Sequence, residues 1–271
     1  MSKQKSKIFI AIIMGVVSVL LISAASFPFP ARAIIPLNID FEVGEKMVYD
    51  TTRTTIYTSE ENSSQSTLPN VDSTKEILEV TDFDGQSYTL NHTVQDLNQS
   101  IRTSFLETLS KNGSSTWHIK IGANTVNASG ANYAFVPNVL ELLTEKAQAR
   151  VADSWRIPYE SSNAEASGNL IITFYGFENL TVPAGTYNVF KVGIRSDNVN
   201  VHYTVSRNGF EANVAEDFNI QIYFEYGSLR QIKYDAQGSI SIESSVESQS
   251  FLNMMPKFTQ VEMILIEDIK P

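Results

Sequence analysis

Apolar and polar positions alternate with a period of two along most of the chain from Phe41 onward. The clearest runs are Trp155, Ile157 and Tyr159; Ile220, Ile222, Phe224 and Tyr226; and Val261, Met263 and Leu265. Successive side chains of a strand point to opposite faces, so this pattern predicts strands with one apolar and one polar face. Sheets with one solvated face are mostly antiparallel. The chain is therefore predicted to be mainly β, with antiparallel pairing.

The best-defined local feature is a hairpin predicted over Gly176–Ile194, GFENLTVPAGTYNVFKVGI. Pro183 has the backbone angle that a type I turn needs at its second position. Gly185 can adopt the left-handed conformation of a three-residue hairpin loop with a bulge. Further turns between alternating segments are predicted at Asp84-Gly85 and Gly227-Ser228.

One amphipathic helix is predicted at about residues 137–150. Pro137 suits the first turn of a helix. An apolar stripe follows at Val139, Leu140, Leu143 and Ala147. A lone amphipathic helix in a β-rich chain usually lies against a sheet, so we expect it to pack there. The preceding segment 124–132 is rich in Asn, Ser and Gly, and we expect a loop.

The first 33 residues have the pattern of a targeting segment. Lys3, Lys5 and Lys7 precede an uncharged apolar run, and Ala31-Arg32-Ala33 is a small-x-small site. Residues 1–33 are therefore predicted to be a signal peptide cleaved before Ile34. The alternative is a retained N-terminal membrane anchor, since about 20 apolar residues can span a bilayer. In both cases residues 34–271 are predicted to form a single β-rich extracytoplasmic domain, secreted or anchored to the cell membrane by that segment alone.

The net charge and the absence of cysteine exclude several classes of partner and site. The formal net charge is −10, and it falls to −14 without the four basic residues of the first 33 positions. A surface this acidic argues against partners such as nucleic acid and against charge-driven binding to anionic membranes. The chain has no cysteine, which excludes disulfides, thiolate metal sites, cysteine nucleophiles and a lipidated-cysteine anchor.

Four short segments carry a resemblance to known proteins. They are VGEKMVY at 43–49, ADSW at 152–155, TVPAGTY at 181–187 and YGSLR at 226–230. They resemble patterns such as "GDSW", "VPAGTF" and "GLVK" in exported β-rich TapB-like proteins and, more distantly, in LolA- and LolB-like lipoprotein carriers. The resemblance implies a curved antiparallel sheet or half-barrel around one helix, with an apolar concavity. The chain departs from the pattern at Ala152, where that pattern has glycine, and in lacking the lipid-attachment cysteine.

Residues with catalytic potential are scarce. The sequence has no G-x-S-x-G, H-E-x-x-H, phosphate-binding or dinucleotide-binding motif. Its three histidines, His92, His118 and His202, are far apart in strand-like segments, so a shared metal site would require the sheet to bring them together. No catalytic, metal-binding or cofactor-binding residue is assigned, and no cofactor is expected.

The acidic and aromatic residues likewise do not identify a catalytic or sugar-binding site. The acids considered as carboxylate pairs are Glu216, Asp217, Glu243 and Glu247, for which solvated strand faces and turns are the expected location. The aromatic residues considered for stacking on sugars are Trp117, Trp155, Tyr223, Tyr226 and Tyr234, for which we expect core packing.

Six positions match the Asn-x-Ser/Thr acceptor pattern for glycosylation. They are Asn62, Asn91, Asn98, Asn112, Asn127 and Asn179. Because Asn179 falls within the hairpin, a glycan there requires that strand position to face solvent.

The sequence favours a non-catalytic secreted or cell-surface β protein that binds an apolar ligand, a lipid or a cell-envelope protein partner. The lipid-carrier form of this hypothesis expects a cavity on the order of several hundred Å³ beneath the helix. The alternative is a secreted hydrolase with a site built from separate strands. It expects two of the histidines, or a carboxylate pair, to converge in one cleft.

Overall fold

The structure is a computed structural model that describes residues 34–36, 39–57, 69–98, 102–111, 113–121, 124–129, 148–150, 152–159, 165–205, 210–244 and 256–271. Residues Ile35–Pro271 form one compact unit. Within the described ranges, no helix has the length and apolar character needed to cross a membrane. The predicted targeting segment, residues 1–33, lies outside them.

The described residues form fourteen strands. These are β1 (Ile34–Pro36), β2 (Lys46–Tyr57), β3 (Asn70–Phe83), β4 (Ser87–Asp96), β5 (Arg102–Ser110), β6 (Ser115–Ile121), β7 (Asn124–Ser129), β8 (Gln148–Arg150), β9 (Ser154–Pro158), β10 (Glu165–Val182), β11 (Gly185–Val205), β12 (Phe210–Glu225), β13 (Gln231–Ser244) and β14 (Pro256–Ile269). Strands β1 and β8 pair with each other in a small sheet.

The other twelve strands form one antiparallel sheet. Its order is β7-β6-β5-β4-β3-β2-β14-β13-β12-β11-β10-β9. Strands that are neighbours in the sheet are also neighbours along the chain, except at one junction where β2 pairs with β14 over Lys46–Tyr57. The sheet is thus two meanders, β2–β7 and β9–β14, joined at a β2–β14 seam. This confirms the prediction of a mainly β chain with antiparallel pairing.

The sheet is open and curled. Strands β7 and β9 form its two edges, so it is not closed into a barrel. Tyr159, just after β9, has its Oη 3.4 Å from Oε2 of Glu216 in β12. In a flat sheet those strands would be three spacings, about 14 Å, apart. Tyr187 in β11 similarly reaches Asp268 in β14, at 3.3 Å. These contacts require the second meander to curve.

The predicted helix is not seen in the part of the chain that the structure describes. Residues 137–147 lie outside the described ranges, and the final three, Gln148–Arg150, form strand β8 instead. The predicted loop at 124–132 is also wrong in its first part, because Asn124–Ser129 form β7. At the two places where the described residues differ from the predictions, 148–150 and 124–129, pairing with a neighbouring strand outweighs the local preference of the sequence.

The predicted hairpin is present and longer than expected. Strands β10 and β11 pair from the tip, where Val182 lies opposite Gly185, to Glu165 opposite His202. The connection is the two-residue turn Pro183-Ala184, not a three-residue loop, and Gly185 has φ 148°. Turns also occur as predicted between β3 and β4 and between β12 and β13.

One face of the sheet, which we call the inner face, carries the apolar core. Its most deeply buried part is the centre of the second meander, where Phe174, Phe190 and Phe224 pack as a line of rings with centroids 5.6 to 5.7 Å apart. The same core cluster continues across the seam through Tyr49 and Leu265 to Val80 and Leu90 in the first meander. The two meanders therefore share one core.

Two facing irregularities interlock β10 with β11. The register shifts between Ser167 and Asn169 in β10, and between Arg195 and Val199 in β11. Gly168 has φ 106°, and a Cβ at this position would lie 2.3 Å from the carbonyl oxygen of Asn198. Asn198 itself has φ 56°. Glycine is required here because the opposite backbone occupies the space of a side chain.

We predict that Gly168→Ala lowers the free energy of unfolding by about 3 kcal/mol, through backbone strain and overlap with Asn198. Gly227→Ala is the matched control, because Gly227 also has positive φ, 103°, but nothing within 4 Å of the added Cβ. It is expected to cost about 1 kcal/mol. Urea unfolding of both variants checks this, and equal losses would contradict the interlocking role.

Candidate functional site

A buried histidine between two glutamates is the most unusual feature of the inner face. His92 in β4 lies opposite Leu78 in β3 and Phe105 in β5. Its ring nitrogens reach diagonally, Nδ1 to Glu76 Oε1 at 2.8 Å and Nε2 to Glu107 Oε2 at 2.7 Å. Three neighbouring strands thus each contribute one charged group to what we call the His92 cluster.

Aromatic rings cover the His92 cluster. The His92 ring stacks on Phe105 at 4.8 Å and on Trp117 at 5.3 Å, and Phe105 and Trp117 stack on each other at 4.8 Å. His92 is only 4% exposed. The cluster is therefore a charged group within an otherwise apolar, aromatic surface.

The His92 cluster favours a protonated imidazole. Burial alone would lower the pKa of His92, but the hydrogen bonds to Glu107 and Glu76, together with their charges, raise it to about 9. With both ring nitrogens donating to carboxylates, the histidine is a cation at neutral pH. The arrangement can hold a proton tightly.

The other two histidines lie elsewhere. His118 in β6 is paired with Leu106, which places it on the opposite face from His92, and its Nε2 lies 3.2 Å from Thr108 Oγ1. His202 in β11 has Nδ1 2.8 Å from Asn213 Oδ1. Zinc ligands must all lie about 2 Å from one point, so these three histidines cannot share a metal ion.

A second charged group, the Arg230 clasp, lies at the β2–β14 seam. Arg230 follows the turn after β12 and contacts Glu225 at the end of that strand, with Nε 2.6 Å from Oε2. Its Nη1 reaches Glu45, just before β2, and lies 3.1 Å from Asp268 Oδ2 in β14. Lys270 Nζ adds a contact of 2.8 Å to Glu45. One guanidinium thus joins the start of the first meander to the end of the second.

Glu45 is the most deeply buried acid of the clasp, at 1% exposed. Burial alone would raise its pKa, but the hydrogen bonds from Lys270 and the Glu42 backbone, with the charges of Arg230 and Lys270, hold it below its ordinary value. Leu229, directly before Arg230, is a buried non-glycine residue with φ 59°. The turn is held in this uncommon conformation next to the clasp.

The remaining acids considered as carboxylate pairs do not converge. Glu216 is buried on the inner face beside Tyr159, and burial raises its pKa despite that hydrogen bond. Asp217 is exposed and accepts from Ser196 Oγ at 3.1 Å. Glu247 lies outside the described residues, and of Glu243 only the backbone, in β13, is described.

The glycosylation candidates differ in accessibility. Asn98 and Asn179 are exposed, whereas Asn91 is half-buried within β4. Asn127 lies in the edge strand β7, and Asn62 and Asn112 lie outside the described residues. Modification of any of the six stays a prediction; among those whose side chains the structure describes, Asn98 and Asn179 are the accessible positions.

A depression of about 190 Å³ lies over β12, β13 and β14 beside Gly238, Phe218 and Phe258. It is open to solvent, so it is not the enclosed cavity expected of a lipid carrier. The region beneath residues 137–147, where that cavity was predicted, lies outside the described residues.

Sequence reasoning missed both charged groups, although a signal for the His92 cluster exists. Glu76 shares the apolar phase of Leu78 and Val80, and Glu107 that of Leu109. A charged residue in the apolar phase of a strand indicates a buried charge that needs a partner. The Arg230 clasp has no such local signal, because its members come from opposite ends of the chain.

Comparison with known proteins gives distant matches only. No family model and no curated protein matches the chain. A protein from Bacteroides fragilis, predicted to be exported and with a YmcC-like fold, matches 87% of this chain and 100% of its own at 11% identity and a TM-score of 0.34. A predicted lipoprotein from Parabacteroides distasonis matches 88% of this chain and 100% of its own at 12% identity and a TM-score of 0.35. At these values the likeness carries no argument about function, and the resemblance to TapB- and LolA-like proteins stays a prediction.

We predict that Arg230→Met destabilises the fold by about 3 to 5 kcal/mol, because it leaves the carboxylates of Glu45, Glu225 and Asp268 without their shared cation. The matched control is Arg156→Met, which removes an exposed pair with Asp197 and should cost less than about 1 kcal/mol. Urea midpoints with m-values provide the measurement. Similar losses for both variants would show that the clasp does not stabilise the seam.

The His92 cluster makes stability depend on pH. A folded pKa of about 9 against the ordinary 6.5 gives stabilisation that is complete below pH 6.5 and is lost as pH rises through 9. From pH 6 to pH 10 this amounts to on the order of 3 kcal/mol. Unfolding of the wild type and of His92→Gln across that range measures it, and the variant should lack this component. His202→Gln is the control and should retain it; an unchanged profile in His92→Gln would contradict the assignment.

Proposed function

We propose that the chain is a non-catalytic extracytoplasmic β protein that binds an apolar ligand, of which a lipid acyl chain is the best example, on the inner face of its first meander. The observation that carries this proposal is the uneven burial of that face. Across β10–β12 nearly all of the large inner side chains are covered, with Phe177 toward the hairpin tip as the exposed exception, whereas in β3–β6 Leu78, Val94, Phe105 and Trp117 are only half-buried. An apolar, aromatic surface that stays partly open favours an apolar occupant.

The position of the His92 cluster supports an amphipathic occupant. Its charged groups lie directly beside Phe105 and Trp117. Ligand sites commonly combine an apolar lining with a few fixed polar groups.

The extracytoplasmic location in the proposal is supported by the sequence of residues 1–33. An acidic chain of net charge −10 without cysteine suits an exposed setting, where it needs no disulfide because its core is large. A cell-envelope protein is the other occupant that the same apolar surface fits.

The hydrolase alternative has one observation in its favour. Glu76 and Glu107 do converge, each within 2.8 Å of a His92 nitrogen. However, His92 occupies both carboxylates and is itself buried beneath aromatic rings, so a substrate could not reach a free carboxylate without displacing them. We therefore place the binding function ahead of hydrolysis.

The two tryptophans allow a direct test, because Trp117 lies on the proposed surface and Trp155 packs against Phe174 in the second meander. Dibrominated stearate quenches a tryptophan only at short range. In Trp155→Phe, where Trp117 is the sole tryptophan, we expect saturable quenching of tryptophan fluorescence; in Trp117→Phe we expect little.

Unbrominated stearate serves as the control for indirect changes in fluorescence. No quenching of Trp117, or equal quenching of both tryptophans, would rule out an acyl-chain site at this place. Phe105→Ala should abolish the quenching of Trp117, because Phe105 stacks on that ring. Phe177→Ala, in β10 of the second meander, should leave the quenching unchanged. This pair of results would place the ligand beside Phe105.

A further inference from the structure

The outer face of the second meander carries an exposed tyrosine that is held in place. Tyr175 is the extra residue of a bulge in β10, between Phe174 opposite Val192 and Gly176 opposite Lys191. Its ring lies over Gly193, where a Cβ would be 2.4 Å from Cε2 of Tyr175. The tyrosine is nevertheless 59% exposed. A bulge that redirects a side chain and a glycine that accommodates it together fix an aromatic ring at the surface.

A lysine lies between this ring and a second one. Lys191 Nζ is 5.5 Å from the centroid of Tyr175 and 5.3 Å from that of Tyr223, which is opposite Lys191 in β12. Arg195 is on the same face of β11, about 13 Å further along the strand, and is exposed. The result is a row of alternating aromatic and cationic groups.

Lys191 and Arg195 differ from nearby basic residues, which form salt bridges. Arg156 pairs with Asp197, and Lys233 pairs with Asp235 and Glu262. Within the described part of the chain, neither Lys191 nor Arg195 has a carboxylate within salt-bridge distance. On a chain of net charge −10, such a local positive site is complementary to an anion.

We propose that Tyr175, Lys191 and Arg195 form a binding site for an acidic polysaccharide, such as a uronic acid polymer. The C–H groups of a sugar ring pack against the electron-rich face of the Tyr175 ring. Lys191 and Arg195 then form charge-assisted hydrogen bonds to sugar carboxylates. Their separation along the strand is one that an oligosaccharide can bridge. The site is on the opposite face of the sheet from the apolar surface and is independent of the acyl-chain proposal.

The test is isothermal titration of the folded mature chain with oligogalacturonate at low salt. Tyr175→Ala and Lys191→Gln should each weaken binding by about tenfold or more, the effect of one charge-assisted or stacking contact. Lys111→Gln is the matched control, because Lys111 lies 4.7 Å over the Phe83 ring in the first meander and should bind as the wild type does. Circular dichroism verifies that each variant is folded.

Three further measurements decide the chemistry. Neutral dextran should not bind, and added salt should weaken oligogalacturonate binding. A single-stranded oligonucleotide of equal charge should bind less tightly than oligogalacturonate. It is the necessary comparison, because bases can also stack on an aromatic ring and phosphates can also pair with Lys or Arg. Absence of oligogalacturonate binding, equal affinity for dextran, tighter oligonucleotide binding, or wild-type affinity in both variants would each overturn the proposal.

Discussion

The pairing of β2 with β14 is the constraint on which the rest of the structure depends. Each meander forms from local hairpins, and among the described strands the seam is the one pairing that joins them; its strands come from opposite ends of the domain. The Arg230 clasp reinforces it with contacts such as Lys270 to Glu45, which are 225 residues apart in sequence. Without the seam, each meander would expose an additional unpaired edge and lose part of the shared core. Such long-range pairing is slow to form, because loop-closure entropy must be overcome first.

A joined sheet gives one continuous inner face with two different environments. In β10–β12 of the second meander, aromatic and branched side chains bury most of this face, which makes that half a close-packed support. In the first meander, the same face has a buried charged group beneath half-buried rings. Buried charges with full partners favour one arrangement over others at little net gain in stability. The second meander thus provides the core, and the first provides the surface that we assign to a ligand.

The sequence was sufficient for turns and for alternating strands, but not for residues 124–129 and 148–150, which form strands despite their local pattern. The turn residues Pro183 and Gly85 correctly predicted the positions of two hairpins, and the alternation of apolar and polar residues correctly predicted a mainly β chain. Pairing between distant strands has no such signal, so the seam, the edge strand β7 and the Arg230 clasp were not predicted. The structure gives Ala152 a φ of 71°, a conformation that glycine adopts more readily; the "GDSW" pattern that this segment resembles has glycine at that position. Of the candidate site, only the charged residues in the apolar phase could have been found from sequence.

The central claim is that the two meanders form one cooperative sheet through the β2–β14 seam. Native-state hydrogen exchange of the full chain in increasing urea tests it most directly. The amides that bond across the seam, between Lys46 and Thr55 and their partners in β14, should share one opening free energy with those of β11 and β12. Separate opening of the seam at a clearly lower free energy would contradict the claim, because it would show that the meanders unfold independently.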